Sequence, residues 1–553
     1  MRKNFVLVIV VTSIIFILNL VLTPRINYTK IEEKSTSKYV NQSLESSDEE
    51  LNDGKVEKVM IVQLMLDYDS FGNLNSKFKS FNDENYKEKR NEHRKKAKEY
   101  HEGNNKSVLK GIKIENYQEL YVSKYSPFID ITYDYNYFMN HKKDILSELT
   151  NNKYVKEVRL IEDEKYIDCM NFLADAVDAS YVYNNRTKTG DGVVVGILES
   201  GVIKTNDDLL QDVDITIRAS TYNLLGKSDH TTNMAKLIAG TYGIAPGVSL
   251  LNAYASGSLN QEIEWMIDRD VDIINMSFGE PGTEGYYSDE SAYVDYIAYT
   301  YDIVMVAAVG NNGGMVANPA LGYNVISVAA CVLGGQVVSY SAFDVMEGPI
   351  KPTIAVPGAG ISVDGVFGSE TSGTSASAAV CSGLIALLLE DYPSLATDKA
   401  RLIALIVTNA YESTTYSYEE ENGFDRDTGG GMFSYQNIID HYNTAFNYTN
   451  TNGEANTIFK FRQVYLTEGQ NLRAAFASIA KANGNCEDTV FTDYDMYLRD
   501  PDGNIVVSVL DSSTNVMMVN YVAPSTGYYR IEIRQYSVLK DTIDHTSLAY
   551  SVS

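Results

Sequence analysis

The chain has 553 residues, 44% hydrophobic and 22% charged, which describes a globular protein and excludes a disordered, collagen-like or multi-span membrane chain. Its 73 acidic against 46 basic residues give a net charge of −27, a surface that repels phosphate backbones, so no nucleic acid is expected as a partner. Four cysteines are too few for a disulfide framework, and six histidines are few enough to weigh one by one.

At the start, Arg2 and Lys3 precede an apolar run over 5–22, interrupted only by Thr12, Ser13 and Asn19. A basic start before a long apolar run signals export. The run is longer than an ordinary signal core and nearly spans a bilayer, so residues 1–27 read as a cleaved signal peptide or an uncleaved membrane anchor. Residues 28–57 are rich in Ser, Glu, Asn and Lys and read as a polar linker. Residues 58–167 read as a small α+β module, with strands near 59–62, 128–131 and 155–160 and a helix over 141–150. Within it, 87–98 carries seven Lys/Arg and is expected as a helix facing water.

From 168 to 447 the pattern changes. A continuous apolar run at 193–198 and further strand-like runs at 271–277, 303–309 and within 323–330 alternate with helical stretches such as 260–268. Buried strands alternating with helices predict a parallel sheet with helices on both faces. In such sheets, active groups gather beyond the carboxyl ends of the strands. Glu199 ends the first run. Val309-Gly310-Asn311-Asn312-Gly313 follows the third. Gly373-Thr374-Ser375-Ala376-Ser377 opens a long apolar helix. A serine there sits among unpaired N–H groups in a positive field, suited either to capping or to nucleophilic attack. A nucleophilic serine needs a base, and between 142 and 440 the only histidine is His230. Glu199 is the carboxylate positioned to orient it, and Asn311 could donate to an oxyanion.

These blocks, in this order, resemble the subtilisin-like serine peptidases, the subtilase family. Ile197-Leu198-Glu199-Ser200-Gly201 resembles the acid block, His230-Thr231-Thr232-Asn233-Met234-Ala235 the histidine block, and Gly373-Thr374-Ser375-Ala376-Ser377 the serine block. Tyr242-Gly243-Ile244-Ala245-Pro246-Gly247 and Ala355-Val356-Pro357-Gly358 also fit. The resemblance spans about residues 170–445. It implies a subtilisin-like α/β fold, catalysis by Glu199, His230 and Ser375, and an oxyanion held by Asn311. It implies that Ser277, Phe278 and Gly279 bind a protein or peptide substrate by strand addition. No cofactor is implied for the chemistry. Three departures stand out: Glu199 where the family has Asp, Thr231-Thr232-Asn233 after the histidine, and Ala379 where a Pro is usual. They keep a catalytically impaired, binding pseudopeptidase open as an alternative.

The module at 58–167 then resembles a propeptide, an intramolecular inhibitor, with processing expected near 162–175, where Cys169 lies. Cys331 and Cys381 read as core residues. Residues 448–455 read as a polar linker, and 456–553, with five short strands and the turn Asp500-Pro501-Asp502-Gly503, as an all-β sandwich of jelly-roll type. Asp493, Asp495 and Asp502 are the acids a structural calcium would draw on, although the roughly six to eight oxygens it needs are not identifiable. The sandwich and the N-terminal run together also suit a cell-surface adhesion protein.

Overall fold

A computed structural model describes residues 59–66, 86–112, 114–162, 167–168, 188–218, 226–255, 259–332, 335–363, 370–412, 419–450, 454–482, 489–537 and 544–553. The N-terminal run at 5–22, Cys169 and most of the expected processing region lie outside these residues.

The N-terminal portion contains β1 (Val59–Leu66), α1 (Tyr86–Leu109), β2 (Glu119–Val122), β3 (Phe128–Asp134), α2 (Tyr135–Thr150), β4 (Val155–Glu162) and β5 (Ile167–Asp168). β1 to β4 form an antiparallel sheet in the order β2-β3-β1-β4. Alternation along β1 sends Met60, Val62 and Leu64 to one face, against Phe138 and Leu149 of α2. Met65 and Phe128 join a different core, described below.

The central portion holds β6 (Val194–Glu199), β7 (Ile215–Ile217), α3 (Asp229–Ala239), β8 (Ser249–Tyr254), α4 (Asn260–Ile267), β9 (Ile273–Met276), β10 (Phe278–Gly279), α5 (Asp289–Tyr301), β11 (Val304–Ala308), β12 (Val325–Cys331) and β13 (Ile354–Pro357). A short hairpin of β14 (Ile361–Ser362) and β15 (Glu370–Thr371) precedes α6 (Thr374–Asp391), α7 (Lys399–Thr408) and α8 (Tyr435–Asp440). Seven strands make one sheet in the order β13-β12-β11-β9-β6-β8-β7, and every pairing is parallel. Successive residues of a strand face opposite sides and both sides are covered, which is why these strands are mainly apolar on both faces, with Asn252 of β8 and Asn275 of β9 as buried polar exceptions. Val195, Ile197 and Val306 pack under α3, α6 and α7. Ile274, Met276 and Met305 pack under α4 and α5. Met65, Ala97, Tyr125 and Phe128 of the N-terminal portion extend this second core.

The C-terminal strands are β16 (Ala445–Asn450), β17 (Thr457–Leu466), β18 (Asn471–Ser478), β19 (Lys481–Ala482), β20 (Thr489–Val490), β21 (Tyr494–Arg499), β22 (Ile505–Val509), β23 (Val516–Val522), β24 (Gly527–Gln535) and β25 (Asp544–Val552). Two antiparallel four-stranded sheets, β16-β25-β18-β23 and β17-β24-β21-β22, share one apolar cluster that includes Phe476, Met496, Tyr529 and Leu548. Arg473 fastens this portion to the central one. Its guanidinium donates to the carbonyls of Val407 (3.2 Å) and Thr408 (3.1 Å) at the end of α7.

Two sequence expectations need correction. Residues 448–450, read as linker, complete β16. This edge strand exposes Asn447 and Thr449, so its composition looks like a loop. The basic run at 87–98 is indeed helical, but it does not simply face water. Arg90, His93 and Arg94 are buried, and with Ala97, His101 and Asn105 they form one face of α1. The spacing of three and four residues is that of a buried stripe. Because the stripe is mostly polar, hydrophobic periodicity does not register it.

Candidate active site

Glu199 is the last residue of β6 and is fully buried. Its backbone is fixed by pairing with Tyr254 and by the amide of Ala255, which donates to its carbonyl at 2.6 Å. Beyond it the chain turns tightly around the buried Asn252. That side chain accepts from the Ile203 amide (3.0 Å) and donates to the Ile197 carbonyl (3.2 Å). Gly201 passes so close to Ser228 that a Cβ there would stand 2.2 Å from the serine Cβ, so a side chain could not be accommodated without movement.

Ser228 is the N-cap of α3, its hydroxyl accepting from the Thr231 amide at 3.2 Å. The cap sets His230 in the first turn, with Nδ1 3.4 Å from Oε2 of Glu199. Thr232, one of the residues that depart from the family pattern, joins this helix to the preceding loop. Its hydroxyl donates to the Ser228 carbonyl (2.6 Å) and accepts from the Lys204 amide (2.9 Å). The other nearby acids are committed elsewhere: Asp229 pairs with Lys204, and Asp207 with Lys236 at 2.8 Å.

Ser375 lies in the first turn of α6, which packs against α3. Its hydroxyl donates to the Ser277 carbonyl (3.3 Å), and the Ser277 hydroxyl donates back to the Ser375 carbonyl (3.3 Å). Behind them, Asn275 donates to the Ser277 hydroxyl (2.9 Å) and accepts from Ser382 of α6 (3.0 Å). A buried polar line therefore ties the carboxyl end of β9 to α6. Such a line holds its geometry because breaking any member leaves a buried group unsatisfied.

Asn311 follows β11. Its side-chain oxygen accepts from the Thr374 amide (2.9 Å) and hydroxyl (3.0 Å). An amide N–H can only donate, so this contact fixes which end of Asn311 is oxygen and assigns the other end as the NH2 donor. Thr374 was not among the sequence-predicted site residues, nor were Asn275 and Ser382. The first stands inside the serine block and was legible there, whereas the other two are tied to the site only by folding.

Ser277, Phe278 and Gly279 are adjacent at the strand end, but their roles differ. The Phe278 side chain is buried in the core, so only its backbone is placed to pair with another strand. That backbone is already paired: β10 forms an antiparallel ladder with β5, Phe278 opposite Asp168 and Gly279 opposite Ile167. Cys331 and Cys381 are buried, which pushes the Cys331 thiol up to about 12 and Cys381 also upward. Helix α6 is long and apolar enough to cross a membrane, but it is a core helix of this fold. In the C-terminal sheets, Asp495 accepts from the Tyr497 hydroxyl at 3.0 Å. Among the described residues no group of three or more His, Cys, Asp or Glu is placed to hold a metal.

Residues 190–431 match the profile of the Subtilase family. Subtilisin DY of Bacillus licheniformis is 30% identical over 254 residues, covering 41% of this chain and 88% of that protein. A thermostable alkaline protease of Halalkalibacterium halodurans is 31% identical over 237 residues, covering 39% of this chain and 62% of its own length. Among solved structures, fervidolysin from Fervidobacterium pennivorans aligns over 88% of this chain and 70% of its own, at 15% identity and a TM-score of 0.44. The matched residues run from the segment before β6 to the strand-like return after α7, and the sequence blocks fall within them. With a parallel sheet of this order and a serine at the head of its central helix, the chain belongs to the subtilase family of serine proteases.

Proposed function

We propose that this protein is an exported serine endopeptidase, made as a precursor, that cleaves peptide bonds through a Glu199–His230–Ser375 triad. The observation that carries the reading is the contact of Glu199 Oε2 with His230 Nδ1 at 3.4 Å, beside a helix whose first turn holds Ser375. The longer acid reaches the imidazole from the strand end, which supports Glu199 in the role the family gives to Asp.

In this mechanism Nε2 of His230 takes the Ser375 proton as the hydroxyl oxygen attacks the substrate carbonyl. Glu199 holds the ring and offsets the charge it gains. The Asn311 NH2 and a backbone N–H at the head of α6 hold the oxyanion. Protonated His230 then gives its proton to the leaving amine, and water repeats the sequence on the acyl-enzyme. The substrate backbone pairs with Ser277, Phe278 and Gly279.

The β5–β10 ladder supports the precursor reading, because the chain's own segment occupies the strand-addition position. The ladder runs Ile167–Gly279 and then Asp168–Phe278. The next step on the protease side is Ser277, whose carbonyl accepts from the Ser375 hydroxyl. The expected cut therefore falls one residue beyond Asp168, after position 169, within the 162–175 window. Export rests on the basic start and the apolar run over 5–22.

The test is labelling by a serine-reactive fluorophosphonate, with intact-mass measurement of the chain. Wild type is expected to label at Ser375 and to release a chain beginning at Met170, and Ser375→Ala to do neither. Equal labelling of the two proteins and no processing between 162 and 175 would leave the pseudopeptidase in its place.

A further inference from the structure

The two C-terminal sheets present different outer faces. The outer side of β16-β25-β18-β23 is covered: Ala475, Met518 and Ala549 share a core with Ile406 of α7. The outer side of β17-β24-β21-β22 is open. Alternation sends Phe461 and Tyr465 of β17 and Tyr528 of β24 outward, and they are 51%, 53% and 62% exposed. Tyr465 and Tyr528 are cross-strand partners, their rings edge to face at 5.1 Å. Phe461 lies four residues along β17, about 13 Å away. The rings therefore mark out a strip on the sheet surface.

Among those rings lies a buried carboxylate. Glu532 also faces outward, opposite Phe461 and Tyr497, yet it is 1% exposed. Three arginines roof it: Arg534 (2.6 Å), Arg499 (3.0 Å) and Arg530 (3.0 Å). Two of them also brace rings, Arg530 over Phe461 at 4.4 Å and Arg534 over Tyr497 at 5.2 Å. Arg534 meets Glu532 through Nε alone. Its two terminal nitrogens have no ion-pair partner among the described residues, so the forked end of the guanidinium stays available. The outward strand positions of this face carry three guanidiniums against two carboxylates, Glu532 and Asp495. That is a positive balance within a chain of net charge −27.

We propose that this face binds an acidic polysaccharide, a polymer of sugar rings bearing carboxylates. A sugar ring has a face of C–H groups that lies against an aromatic ring, and a carboxylate at its edge fits the open fork of Arg534. The tyrosine hydroxyls can bond the sugar hydroxyls beside them. Rings and guanidiniums alternate along the strip, as apolar faces and charged edges do along such a polymer. The positive balance selects an anion and disfavours a neutral glucan. The arginines already brace Phe461 and Tyr497, so little side-chain freedom is lost on binding. An acidic protein would meet the charge, but a strip of exposed rings matches a partner whose repeating unit is itself a ring. A membrane would draw apolar side chains into its interior, whereas these rings lie among guanidiniums on a sheet.

The test uses the full chain carrying Ser375→Ala, which keeps it whole whatever its activity, and polygalacturonate immobilised on a sensor surface. EDTA is present so that no metal bridges the acids. Polygalacturonate is expected to bind, neutral pullulan to give no signal, and poly-glutamate of equal charge to bind on the order of tenfold more weakly. Tyr465→Ala with Tyr528→Ala should weaken binding on the order of tenfold while the thermal midpoint holds, since both residues are exposed. Arg534→Lys keeps the charge but lacks the fork, and should weaken binding several-fold. Tyr411→Ala, at an exposed position on the central portion, should leave it unchanged. Equal affinity for poly-glutamate would indicate an acidic protein partner, equal affinity for pullulan a neutral glycan, and binding confined to phosphatidylglycerol vesicles a membrane. Each of these would overturn the proposal, as would no binding of polygalacturonate, or binding indifferent to the tyrosine and Arg534 changes.

Discussion

Glu199→Asp restores the acid usual in the family, yet it is expected to slow this enzyme. The main chain cannot follow the shorter side chain, because Glu199 is paired with Tyr254 and its carbonyl is held by Ala255 at 2.6 Å. Losing one methylene draws the carboxylate back by about 1.5 Å, so the 3.4 Å contact with His230 opens to about 4.9 Å. At an effective dielectric near 20, the attraction for protonated His230 falls from about 5 to about 3.4 kcal/mol. That difference of about 1.5 kcal/mol is roughly tenfold in rate. Looser orientation of the imidazole takes the total toward a hundredfold, about the cost of misplacing a reacting group by 1 Å. The assay is the second-order rate of fluorophosphonate labelling, with kcat/KM on an unstructured protein substrate and a thermal unfolding midpoint to confirm the fold. An Asp variant as fast as wild type, or faster, would show that the site is not fitted to Glu.

Other outcomes follow from the same geometry. Asn311→Leu should lower kcat by about 10²–10³ with little change in KM, since it removes a donor used as the oxyanion forms. A KM effect alone would assign Asn311 to substrate binding. Gly358→Ala places a Cβ 1.8 Å from the Ser377 hydroxyl in the first turn of α6, so labelling of Ser375 should fall sharply while the protein still folds. Normal labelling would show that the helix start can shift without consequence.

Stability should respond to pH from both sides where the N-terminal portion meets α4 and α5, with His101 near Tyr296 and Glu264 held by Ser123 and the Lys124 amide. Burial lowers His101 from 6.5 to about 3, so the unfolded chain takes up a proton that the native one refuses, and stability is lost as pH falls below 6.5. Burial raises Glu264 from 4.5 to about 7, so its contribution is present below 4.5 and lost as pH rises through about 7. Glu264→Gln, neutral at every pH, should flatten the second limb in unfolding midpoints measured across that window, and an unchanged limb would exclude Glu264 as its source. Arg473→Met should cost about 2–3 kcal/mol in unfolding by leaving the carbonyls at the end of α7 without charged donors. A negligible cost would mean that apolar packing of Ala475, Met518 and Ala549 with α7 residues such as Ile406 fastens the C-terminal sheets by itself.

The sequence by itself determined the parallel sheet and the order of the acid, histidine and serine blocks. These are local signals: strands buried on both faces are mainly apolar, the acid block carries a glycine at a close approach, the histidine block starts a helix, and the serine block does both. His230 followed from scarcity. The tertiary structure decided which carboxylate meets it. Asp229 and Asp207 lie as near in sequence as many partners do, but Lys204 and Lys236 hold them, while the turn at Gly201 brings Glu199 to the imidazole. It also decided where the basic helix is buried. Arg90, His93 and Arg94 read as solvated charges because burial of a cation depends on acceptors elsewhere in the chain, here Asp272 and the carbonyls at the end of α5. Edge strand β16 was hidden for a related reason: its exposed side chains resemble a linker, and only β25 beside it makes it a strand.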